Sequence, residues 1–141
     1  HKEYRRQRQM CIRDRNYAVS DFIIQALEKD EIKVKAINKV FRRYVDSREF
    51  MSVCIESARV KINDTFSSGG KLIEISDLAR EIGFRMNSAV TVPDVQVETS
   101  DEYFPSDFNY ENIRKLCNVP KIDFFDSLEA TIVSHKSQFS H

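Results

Sequence analysis

The run from Gly70 to Val92, GKLIEISDLAREIGFRMNSAVTV, constrains the fold more than any other stretch, because a strand signal, a helix cap and a glycine follow one another within it. The whole chain has only three glycines and three prolines, so each one punctuates the structure. Leu72, Ile73 and Ile75 fit a short strand, and Ser76 stands where a hydroxyl would cap a helix. The first helix is expected over Asp77 to Ile82. Gly83 comes next, where a tight turn between two helices wants a residue free to take positive φ. A second short helix is then expected from Arg85 to Val92, stopped by Pro93.

With Ala79 as the small residue of the first helix, Gly83 four places later, and Leu78, Ile82, Phe84, Ala89 and Val92 at the apolar places, this stretch resembles a helix-turn-helix. The long helix, glycine turn and strand before it extend the likeness to a winged helix over about 46–99. Val90 to Val92 and Val95 to Val97, flanking Pro93-Asp94, would supply the strands of the wing. The resemblance implies DNA binding, DNA more than RNA, with Arg85, Asn87, Ser88 and Thr91 offered to base edges. It also implies an alternative, since winged helices serve as scaffold parts of multi-subunit assemblies without touching nucleic acid.

The remaining patterns are mainly helical. Ser20 to Val45 places Ile24, Leu27, Val34, Ile37, Phe41 and Tyr44 near one face, as one helix or as two with a break near Asp30, capped by Ser20 or Asp21. Asp46 to Phe66 is the clearest helix. Asp46 and Glu49 approach a capping box, and Met51, Cys54, Ile55, Ala58, Ile62 and Phe66 form a stripe expected to face the core. Ser67 to Gly70 ends it. Further on, Asn109 is expected to cap a helix over Tyr110 to Cys117, with Phe108 stapled against Ile113. Pro120 separates it from a last helix beginning near Asp123. The fold class expected is mainly α with a small antiparallel β element, a winged-helix-like centre (46–99) flanked by N- and C-terminal helices, all within one domain over 16–141.

Charge narrows the choice of partner. Net charge is zero, but residues 1–15 carry six Lys or Arg against two acids, whereas 91–141 carry four against nine. A nucleic-acid binder concentrates basic charge on one face, and here only the N-terminus does so. That segment, HKEYRRQRQMCIRDR, reads either as a basic arm or as an artefact, since QMCIRDR resembles translated sequencing-adapter sequence. The charge surrounding Arg85 therefore decides between the two roles: a positive, open helix face favours DNA, and an acidic or buried one favours a protein.

No catalytic constellation emerges. Histidine occurs only at 1, 135 and 141, so a Ser-His-Asp or Cys-His pair would need a histidine from one end of the chain placed in a formed cleft. Ser68-Gly69-Gly70-Lys71 lacks the spaced glycine and the Ser or Thr of a phosphate loop. Asp94, Glu98, Asp101 and Glu102 read as a solvated acidic loop, with Ser100 where a metal-dependent nuclease pattern needs lysine. Three distant cysteines suit reduced thiols in a cytoplasmic setting better than zinc or disulfides. No apolar run is long enough to span a bilayer. Catalysis, a cofactor, a metal and a small-molecule ligand are thus not implied. In DEYFPSDFNY, Tyr103, Phe104 and Phe108 either offer aromatic area to a protein partner or fold back on the core.

Overall fold

A computed structural model describes residues 17–94 and 105–140. In chain order they form α1 (Ala18–Lys29), β1 (Glu31–Lys33), β2 (Phe41–Tyr44), α2 (Ser47–Arg59), β3 (Lys71–Glu74), α3 (Ile75–Met86), β4 (Ala89–Thr91), α4 (Tyr110–Leu116) and α5 (Phe124–Phe139). The fold is mainly α with a small antiparallel sheet, β2 against β3, in which Arg42 lies opposite Ile73. A second pair, β1 with β4, is parallel, with Ile32 opposite Val90.

The N-terminal helix breaks at Asp30, which takes a left-handed φ of 52°. Beyond Asp30 the chain enters strands β1 and β2 and forms no second helix, which corrects the helical reading of 31–45. Ile32 and Val34 are buried while Lys33 and Lys35 are exposed, the period-two alternation of a strand with one covered face. The pairing is completed from far along the chain: the Val34 N–H donates to the Thr91 carbonyl and the Ala89 N–H to the Asp30 carbonyl, each at 3.0 Å.

Around Gly83 the expectation also changes. Gly83 is a buried interior residue of α3, which runs unbroken to Met86. The chain turns at Asn87, which takes φ 53° as the C-cap, its N–H donating to the Gly83 and Phe84 carbonyls. The helix expected over Arg85 to Val92 is not formed, since residues 89–91 are strand β4. Gly83 answers a packing need: a Cβ there would lie 2.3 Å from Val90 Cγ2, so its absence lets β4 return tightly along the helix. The cap residue shifts too. Glu74, not Ser76, caps α3, its carboxylate accepting from Ser76 N–H at 2.9 Å and Asp77 N–H at 3.3 Å. Of the expected wing, Val95 to Val97 lie outside the described residues.

Two apolar clusters hold the molecule together. The larger one joins α1, β1, α3 and α5 through Ile23, Ile32, Leu78, Ile82 and Ile132, all fully buried. The smaller one lies between α2 and α4, with Val53, Tyr110, Ile113, Cys117 and Val119. At the start of β3, Gly70 at φ 90° is required: a Cβ would meet the Tyr44 carbonyl oxygen, on the paired strand β2, at 2.2 Å. Asp46 caps α2, as its place in a near capping box suggested, and Asp123, near which the last helix was expected to begin, caps α5; both carboxylates accept first-turn N–H groups. The helix expected to reach Phe66 ends at Arg59. Asn109 precedes α4 in a left-handed conformation without a side-chain cap bond, and Phe108 is exposed where a staple to Ile113 was expected.

Candidate interaction surface

Of the residues expected to read DNA, Asn87 and Ser88 line one shallow depression with Arg80 and Phe84, whereas Arg85 and Thr91 are engaged by acidic side chains. Arg85 donates to Glu81 at 2.7 Å and to Glu129, on α5, at 2.9 Å, and its guanidinium lies over the Phe125 ring at 5.6 Å. Asn87 forms the C-cap of α3. The Ser88 hydroxyl turns back to the Met86 carbonyl, and Thr91 Oγ1 donates to Glu31 Oε1 at 3.1 Å across the β1–β4 pair. Next to Arg85 a groove of about 400 Å³ is walled by Phe41, Leu72 and Phe125 and carries Glu74, Asp77 and Glu81, with Lys71 Nζ 4.2 Å from the centre of the Phe125 ring. Arg85 thus lies among carboxylates that already hold it. With two carboxylates on it and its side chain only 25% exposed, Arg85 would have to give up an ion pair before gaining a phosphate.

On α2 the structure departs furthest from expectation. Successive helical residues are rotated by about 100°, so Glu49, Val53 and Ser57 share one face and Met51, Ile55 and Ala58 the opposite one. The first set is buried and the second is exposed. Met51 and Ile55, expected in the core, are 54% and 61% exposed. Phe66 and Ile62 do pack on the smaller cluster, and Cys54 is half-buried, so the correction concerns the helix's outer stripe alone.

The inner face is held by a buried polar cluster that pattern reading had no way to find. Glu49 is 3% exposed; its Oε1 accepts from the Tyr110 hydroxyl at 2.8 Å and its Oε2 from the Ile122 N–H at 2.6 Å. Burial, followed by the hydrogen bond to Glu49, pushes the Tyr110 phenol well above its ordinary value. Phe50 and Phe66 pack around the same ring, with centroids 6.3 Å from it. Arg114 reaches the Val119 carbonyl and Glu111, at 2.8 Å each. At the start of α2, hydrogen bonds from Arg48 hold the Asp46 carboxyl well below the usual carboxylate range, and the Ser127 hydroxyl on α5 donates to it as well. These contacts fix the rotation of α2 from three directions, so its apolar stripe cannot roll inward.

Of the three aromatics expected to meet a partner, Tyr103 and Phe104 lie outside the described residues and Phe108 is exposed. Glu98, Asp101 and Glu102 of the acidic loop also lie outside them, and Asp94 is exposed. Among the described residues, no group of three or more His, Cys, Asp or Glu is placed to hold a metal ion. No helix among them is long and apolar enough to cross a membrane. Comparison with protein-family models and with curated proteins finds no match for the chain.

Proposed function

We propose that the protein is a protein-interaction or scaffold module whose contact surface is the outer face of α2. The observation that carries this reading is the outward Met51–Ile55–Ala58 stripe on a helix whose rotation is locked by Glu49, Tyr110 and Asp46. Single exposed apolar residues are ordinary on protein surfaces. Two large ones aligned a turn apart on a rigid helix, with a small residue extending the line, form the kind of ridge that an opposing helix or sheet covers. Phe108, exposed on the segment before α4, is a second apolar feature in keeping with a protein partner. The ion pairs and neighbouring carboxylates at Arg85 weigh in the same direction, because they engage the one basic side chain among the expected DNA contacts.

A site-specific test places a photo-crosslinking amino acid at position 55, and in a parallel sample at the exposed Lys39, in the cells that make the protein. A discrete protein adduct from position 55, lost on Met51→Ser, and none from position 39 is the expected result. Duplex DNA bound at low salt and released by Arg85→Ala, with no adduct from position 55, would overturn this reading in favour of nucleic acid.

A further inference from the structure

The charges bracketing the α2 ridge identify the kind of partner, an inference that rests on the ridge being a contact surface. Arg48 and Arg59 lie at its two ends, each with a side chain 70% exposed. Their separation of eleven residues spans about 16 Å of helix axis. Each is paired with an acid on its own helix or cap, but the acids are less exposed than the arginines: Asp46 is 8% and Glu56 33% exposed. Lys61, just past the helix, is also exposed. The face turned outward therefore presents basic groups at both ends of an apolar ridge, and they are more exposed than their counter-charges.

This arrangement disfavours a second copy of the same chain. Antiparallel pairing that sets Met51 against the partner copy's Ile55 brings Arg48 within one residue of that copy's Arg59. Parallel pairing in register sets each arginine against itself. Like charges directly opposed are repelled in either case. A helix carrying carboxylates at both ends of its own apolar ridge meets opposite charge at both. We infer that the outer face of α2 binds an amphipathic helix of another protein, one with acidic residues about three turns apart bracketing its apolar stripe. The arginines have donors to spare: each guanidinium has five N–H groups, so it can bridge its own acid and an incoming one.

Two synthetic helical peptides test the inference, identical in a leucine ridge and differing only in whether Glu or Lys brackets it, with binding followed by fluorescence anisotropy. The Glu peptide is expected to bind about tenfold tighter at low ionic strength, and the gap should narrow in about 0.5 M salt. Arg48→Glu with Arg59→Glu should reverse the preference. Met51→Ser with Ile55→Ser should abolish binding of both peptides while the thermal unfolding profile is kept. Equal affinity for the two peptides overturns the acidic-partner inference and leaves the ridge as a contact. Undiminished binding by the Met51/Ile55 variant overturns the ridge itself. No binding of either peptide, or a concentration-dependent dimer abolished by that variant, also overturns the inference.

Discussion

Removal of the Tyr110 hydroxyl tests the buried cluster that orients α2. Tyr110→Phe keeps the ring packed against Phe50 and Phe66 and deletes only the donor to Glu49 Oε1 at 2.8 Å. A hydrogen bond to a charged group is worth about 1.5–3 kcal/mol, and no cavity opens, so the expected loss is about 2 kcal/mol. For a domain of this size that lowers the melting temperature by roughly 8 °C. Glu49→Ala removes the shared acceptor and strands two donors, the Tyr110 hydroxyl and the Ile122 N–H, at about 1–3 kcal/mol each. In that background the hydroxyl is already unpaired, so adding Tyr110→Phe should cost nothing or restore stability. Urea unfolding of the four proteins therefore yields a coupling energy of about 2 kcal/mol. A Tyr110→Phe cost that is the same in both backgrounds, within about 0.5 kcal/mol, would refute the claim that this bond holds the inner face of α2.

The same contacts set the response to other perturbations. Because hydrogen bonds hold Asp46 below its ordinary 3.8, its contribution is complete above that pH and is lost as acid protonates it in the folded state; Asp46→Asn should lower stability at neutral pH and flatten the acid limb of a pH–stability curve. Tyr110 titrates above its ordinary 10.0, so its contribution is intact below pH 10 and fades as pH rises beyond it; this alkaline loss should be smaller in Tyr110→Phe, as read by thermal melts. Gly83→Ala should destabilise despite the better helix propensity of alanine, because the new Cβ meets Val90 Cγ2. Adding Val90→Ala should recover part of the loss, whereas a strictly additive pair would speak against a clash. Met51→Ser with Ile55→Ser should change stability by no more than about 0.5 kcal/mol each, as exposed positions do; a larger loss in denaturant titration would mean that the ridge is covered within the chain itself.

Helices whose caps and apolar faces agree are legible in the sequence, and so is the class of fold. Asp46 announces the start of α2, the apolar period after Pro120 places α5, and Asp30 marks the end of α1. The strands after Asp30 pass for helix because Val34, Ile37, Phe41 and Tyr44 fit a helical face loosely, while the tighter alternation of Ile-Lys-Val-Lys is the true signal. Gly83 passes for a turn because a glycine's reason for being present is tertiary: Val90 needs the space, and only the folded chain places Val90 there. The candidate surface is the least legible part. Periodicity finds the apolar stripe of α2, but its direction depends on Glu49, and a buried carboxylate with partners 61 and 73 residues away leaves no local trace.

The parallel pairing of β1 with β4 sets a schedule for folding. Glu31 and Ala89 are partners across nearly sixty residues of intervening chain, and neither strand is longer than three residues. Closing so long a loop costs entropy that three ladder positions offset only when the helices beneath them dock together. During synthesis, then, Ile32 remains without its paired strand until Thr91 has emerged, and α1 without α5 for longer still. A chain stopped before Ala89 should fail to protect the amides of α1 from hydrogen exchange, and one extended through α5 should protect them in a single cooperative step.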